Sequence, residues 1–138
     1  MTAVMVDSSV LLAAFDREDD EWEASASVLR DPDLTVSTLD LARYEVADVA
    51  VRSWRSPDDV AALLEAIELI GEDGGVLRSS VELIAAAAEL ATECEISVYD
   101  AAYVVAARAR GRTLVSCDLR DLVSRQLAVL PSALLAQE

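Results

Sequence analysis

The chain has 138 residues, 54% of them hydrophobic, which is enough for one domain with a packed core. Its formal net charge is −15, all 11 basic residues are arginine, and there is no histidine. That balance argues against nucleic-acid binding through a broad basic surface, and it excludes Ser/His/Asp hydrolysis, Cys/His hydrolysis and histidine-based zinc sites.

In chain order, Ala3-Val4-Met5-Val6 predicts a first strand over about residues 3 to 6, closed by Asp7. A short helix is expected from Ser8 or Ser9, with Asp7 or Ser8 as its cap. A second helix is expected from about Asp20 to Arg30, with Trp22, Ala26 and Leu29 on one face and Asp31-Pro32-Asp33 as its stop. Leu34 to Ser37 reads as a strand, and Thr38 to Trp54 as a long helix carrying Glu45.

Ser56-Pro57-Asp58-Asp59 has the features of a helix start: a hydroxyl cap, a proline in the first turn and two acids. Val60, Leu63, Leu64 and Ile67 form that helix's apolar stripe, and Gly71 suits its end. Val76 and Leu77 make a weak strand. A helix capped by Ser79 or Ser80 follows to about Glu93, with Leu83, Ile84, Ala87 and Leu90 inward. The next helix is expected from about Val98 to Arg110, ending at Gly111. A strand over 113 to 117, a short helix or turn from Leu119, and a last short strand around Leu127 to Leu130 complete the reading. Strands alternating with helices imply an α/β fold with a parallel sheet covered on both faces, whose ligands gather at the carboxyl ends of strands.

Asp7 and Asp118 fall at such carboxyl ends. Asp100 is the only charge between Ile96 and Ala107, and Glu45 shares a helical stripe with Leu41, Ala42 and Val49. Acids on core-facing positions are unfavourable unless paired or bound to a metal. With no lysine or histidine available, the natural partner is a hard cation of the magnesium type. Each acid also has a plainer role open to it. Asp7 and Asp118 can cap the segments that follow, Ser97 to Asp100 has the form of a capping box, and Glu45 can pair with an arginine. Asp121 reads as solvated or as part of the site's rim, and Ser116 can orient a ligand water near Asp118.

A cation held by clustered acids relieves their mutual repulsion, activates water and neutralises phosphate; two ions about 3.5–4 Å apart clamp an in-line displacement from both sides. Phosphodiester hydrolysis is therefore the chemistry this set suits. No glycine-rich phosphate loop of the G-x-x-x-x-G-K-[ST] or G-x-G-x-x-G form is present. Cys94 and Cys117 lack metal-ligand spacing, and free thiols are expected. Asp7 interrupts the N-terminal apolar run, which argues against a signal peptide, and no run approaches the ~20 residues of a membrane span. The expectation is a cytoplasmic protein without a membrane partner.

Met5 to Leu11, Leu41 to Val46, Tyr99 to Tyr103 and Leu114 to Asp118 resemble, in order, the four acidic motifs of PIN-domain ribonucleases, and within them VapC-type toxins of bacterial toxin–antitoxin pairs. The resemblance runs from Val4 to about Leu130. It implies a three-layer α/β/α sandwich with a central, mainly parallel sheet, so that residues 1–138 are expected to form a single PIN-like domain. It also implies Mg2+-dependent endonucleolytic cleavage of RNA, with Mn2+ as a possible substitute. Asp7 and Asp100 would hold the principal ion, with Glu45 and Asp118 completing the pocket and Ser8, Ser116 and Asp121 as accessory residues. The implied partners are an RNA substrate, a cognate antitoxin whose C-terminal segment crosses the groove, and a second copy in a homodimer. Cys117 stands where the family often has a small residue.

The alternative function is a catalytically silent PIN-like module acting through a protein partner. A phosphotransfer receiver would need a lysine, and a haloacid-dehalogenase-like phosphatase would need an acid where Ser9 sits.

Overall fold

A computed structural model describes residues 2–73 and 75–137. Four strands, β1 (Thr2–Val6), β2 (Leu34–Leu39), β3 (Val76–Leu77) and β4 (Thr113–Val115), form one parallel sheet in the order β3-β2-β1-β4. Val4, Met5 and Val6 of β1 are fully buried, as a central strand covered on both faces requires. The chain winds outward from β1 to β3 through α1 (Ser8–Ala13), α2 (Trp22–Arg30), α3 (Ala42–Arg52) and α4 (Asp59–Asp73). It then returns through α5 (Val81–Cys94) and α6 (Val98–Ala109) to place β4 on the other side of β1. Crossovers in opposite directions, with α1–α4 packed among themselves and α5 packed on α6, give three layers. The reversal makes the carboxyl ends of β1 and β4 a topological switch point.

Several boundaries differ from the sequence reading. The second strand runs two residues further, to Leu39, because Thr38 and Leu39 pair with Val76 and Leu77 and the Thr38 hydroxyl donates to the Val6 carbonyl at 2.8 Å. The following helix therefore starts at Ala42 rather than Thr38. Helix α4 passes through Gly71, and the left-handed residue beyond it is Gly75, at φ +92°. In α2 the buried positions are Ser25 and Val28, while Trp22, Ala26 and Leu29 are only half-buried. A buried serine is invisible to a hydrophobic-face argument.

Ile84 in α5 is 48% exposed instead of inward, and Ala87 and Ala91 hold the buried line. The last expected strand shrinks to a single bridge between Val115 and Val129. Past it, Pro131 opens a further helix, α7 (Pro131–Ala136), that the sequence reading did not include. Among the described residues no helix is long and apolar enough to cross a membrane.

Candidate active site

Asp7 follows β1 directly, and its amide still reaches across to the Val115 carbonyl of β4 at 3.3 Å. It caps α1 through Oδ1, which accepts from the Ser9 amide at 3.0 Å and also from the Ser9 hydroxyl. Oδ2 accepts from the buried Ser116 hydroxyl at 2.6 Å. Both hydroxyls also bind the segment after β4: Ser9 Oγ accepts from the Cys117 amide at 2.8 Å and Ser116 Oγ from the Asp118 amide at 3.0 Å. Capping and site-building are thus one arrangement at Asp7. The carboxyl is 3% exposed, and burial pushes its pKa up to about 6. The Ser116 and Ser9 hydroxyls oppose that rise, and the negative charge of Asp100 adds to it.

Asp118 opens a single π-helical turn over Leu119–Val123 and caps it by accepting from the Asp121 amide at 3.0 Å. The turn folds Asp121 back, and carboxylate oxygens of Asp100, Asp118 and Asp121 all lie within 4.8 Å of one another. Asp100 sits in the first turn of α6, where its amide is capped by Ser97 Oγ at 3.0 Å. Its carboxyl is raised by burial first and then by the charges of Asp118 and Asp121. Glu45 projects from α3, half-buried, and its Oε1 accepts from the Tyr103 phenol at 2.8 Å. Burial raises its pKa, hydrogen bonds from Tyr103 and Ser8 counter the rise, and Asp100 adds to it. Tyr103 itself is kept protonated by burial and by Glu45 beside it.

Asp100 is therefore the meeting point. Asp118 and Asp121 gather around it directly, and Asp7 and Glu45 both feel its charge. Asp121, read from sequence as a rim residue, joins the cluster because the π-helical turn brings it back over Asp118. Ser8 lies beside Glu45 and Tyr103. Ser9 and Tyr103 were missed. Ser9 stands two residues after an aspartate, where an Asx turn places its donor, and Tyr103 lies three residues after Asp100 on the same helical side.

Among the described residues the ion pairs are Arg43–Glu68, Arg52–Asp48 and Arg120–Asp121. None neutralises Asp7, Glu45, Asp100 or Asp118. The donors in the cleft are all hard oxygens, and apart from Arg120 at Asp121 no arginine pairs with them among the described residues, a combination that a hard divalent cation would fit. Cys117, flanked by Ser116 and Asp118, does not change that: burial pushes its thiol up to about 12, and Ser25 Oγ lies 3.7 Å from its sulfur. A groove of about 800 Å3 lined by Phe15, Leu29, Val36, Leu69 and Ile70 among others contains none of these acids.

The model of the PIN domain matches residues 4–125, a span that holds all five acids. The chain belongs to the PIN-domain family. Ribonuclease VapC3 of Pyrobaculum aerophilum is 33% identical over 129 residues, covering 91% of this chain and 92% of that protein. Among solved structures, PAE2754 from Pyrobaculum aerophilum superposes with a TM-score of 0.70 at 22% identity, over 99% of this chain and 88% of that one. Mycobacterium tuberculosis VapC20, described as a sarcin-ricin loop cleaving toxin, gives 0.65 at 20% identity over 82% and 86%. A toxin–antitoxin complex from Klebsiella pneumoniae gives 0.66 at 15% identity over 93% and 97%. These structural likenesses establish the PIN fold: a four-stranded parallel sheet between two helical layers.

Proposed function

We propose that this PIN domain is a Mg2+-dependent endoribonuclease, able to use Mn2+, and that it serves as the toxin of a type II toxin–antitoxin pair. The observation that carries the reading is the convergence of Asp100, Asp118 and Asp121 within 4.8 Å, with Asp7 and Glu45 beside them and no arginine on the four principal acids among the described residues. The names of the relatives support it: one is a ribonuclease, one a sarcin-ricin loop cleaving toxin and one a toxin–antitoxin complex.

Asp7, Glu45, Asp100 and Asp118 are the carboxylates of the metal site in this reading, with Ser8, Ser116 and Asp121 in support. A bound divalent ion supplies charge neutralisation at phosphate and acidifies water. The chain's own residues prepare for it. Ser9 and Ser116 fix both oxygens of Asp7, so its carboxylate cannot turn. Burial first, and neighbouring carboxylates after it, raise the proton affinities of Asp7 and Asp100, and a cation would relieve the repulsive part. The partners are RNA, a cognate antitoxin and a second copy of the chain, and the setting is the cytoplasm. A basic antitoxin segment placing an arginine on these acids would compete with the ion.

The test is cleavage of RNA by the purified protein with Mg2+ or Mn2+, absent in chelator and abolished by Asp7→Ala or Asp100→Ala. Full activity in both variants ends the assignment.

A further inference from the structure

Tyr103 heads the fully buried side chains by volume among the described residues, at 1% exposure, yet its one polar atom is spent on a half-exposed acid of the cleft rather than on a backbone carbonyl. We propose that Tyr103 is a positioning residue: its phenol holds the Glu45 carboxylate towards Asp100 and thereby sets the affinity of the acidic cleft for a divalent cation. The inference rests on the metal-site reading above and deepens it.

The geometry carries the proposal in three steps. Tyr103 and Asp100 are three residues apart on α6 and so lie on one side of it, and the phenol meets Glu45 and Ser8 with the charge of Asp7 nearby. The ring is locked in the core, so its hydroxyl is a fixed point, whereas Glu45 has a long side chain, partial exposure and no arginine partner. Left alone, Glu45 would swing into solvent, away from the charge of Asp100 that opposes it. The 2.8 Å bond from the phenol to Oε1 is the restraint that prevents this, with the Ser8 hydroxyl as a second contact.

The bond also crosses the molecule. Glu45 belongs to α3 in one helical layer and Tyr103 to α6 in the other, so it joins the layers across the carboxyl edge of the sheet. Asp7 has Ser9 and Ser116 to hold it, and Tyr103 does the equivalent for Glu45.

The experiment is calorimetric titration of metal-free protein with Mn2+ alone, on the unaltered chain, Tyr103→Phe, Glu45→Gln and the double variant, with thermal melts in chelator alongside. Phenylalanine keeps the ring, so the fold is retained and the melts report any purely structural cost. Tyr103→Phe is expected to weaken Mn2+ binding by about tenfold or more, the size typical of lost outer-sphere support. In the Glu45→Gln background the same substitution should weaken it no further. With RNA as substrate, kcat should fall in Tyr103→Phe while KM holds.

Unaltered Mn2+ affinity in Tyr103→Phe overturns the proposal and leaves the metal site standing, as does an equal further loss in the double variant. Absence of Mn2+ binding in the unaltered chain overturns both readings together.

Discussion

Asp7 and Glu45 are each held by hydroxyl groups from another part of the chain, whereas Asp100 and Asp118 are set by local turns and, with Asp121, face one another across less than 4.8 Å. The first pair is oriented, with Asp7 enclosed and Glu45 half-buried like the second group. The second group is open in the sense that, among the described residues, no hydroxyl from elsewhere ties its carboxylates and repulsion within it is relieved by no cation except Arg120 at Asp121. The difference divides the labour. In the proposed metal-site reading, the tied acids supply geometry, and the open acids the charge that would draw a cation in.

The sharpest way to break this division is to neutralise the open group. Asp100→Asn, or Asp118→Asn, should lower RNA cleavage on the order of 10^3-fold, since several kcal/mol of charge stabilisation at phosphate depends on the ion they attract. The same change should raise the melting temperature of the metal-free protein, because Asp118 and Asp121 are no longer repelled. Lower activity accompanied by lower stability would mean that Asp100 is a structural residue.

A second effect belongs to the tied side. Asp7 has its pKa raised from 3.8 to about 6, so the folded chain binds that proton more tightly than the unfolded chain does. Its contribution to stability is fully present below pH 3.8 and is lost as pH rises through about 6. Without divalent ions, the loss amounts to about 3 kcal/mol by neutral pH. Glu45 and Asp100, both raised, act in the same direction. Asp7→Asn should therefore be less stabilised by acid than the unaltered chain, and more stable at neutral pH in chelator. Urea unfolding across this window reads the difference, and parallel curves for the two proteins would refute it.

Ser116→Ala probes the tie itself. Its buried hydroxyl donates to Asp7 Oδ2 and accepts from the Asp118 amide, so removing it strands two groups at once. A loss of about 2 kcal/mol in denaturant unfolding at neutral pH is expected. Ser8→Ala, at a half-buried position, should cost less than half as much. Equal costs would show that the link between β1 and β4 contributes nothing special.

How far this was legible in the sequence follows from the range of each interaction. Asp7 stood out because a charge directly after a buried apolar run has few local explanations, and the same logic found Asp118. The hydroxyl contact between Ser9 and Ser116 joins residues 107 apart, and nothing local signals it. Thr38 and Leu39 read as the start of the long helix, yet pairing with β3 and the bond to the Val6 carbonyl keep them extended. In α5 the alanines pack on either side equally well, so periodicity could not tell that Val81 and Ile84 face outward, at 80% and 48% exposure. Tyr103 is a core residue, and that its hydroxyl serves Glu45 depends on how two helical layers meet.

The smallest expected effect tests whether charge in the open group acts through the cleft's field. Arg120 is 91% exposed, and its Nε and Nη2 stand 3.4 and 3.5 Å from the Asp121 oxygens. An exposed pair of this kind contributes little to folding, so Arg120→Ala should shift stability by less than about 0.5 kcal/mol. Its electrostatic effect on the cluster has the opposite sign to that of Asp100→Asn: removing a positive charge deepens the negative potential, so Mn2+ should bind about two- to threefold more tightly at low salt. The Debye length shrinks from about 10 Å at 0.1 M salt to about 3 Å at 1 M, so the gain should vanish at high ionic strength. Calorimetry at the two salt concentrations measures it. A gain that survives 1 M salt would mean that Arg120 blocks the cleft sterically, and weaker binding would mean that it orients Asp121 instead.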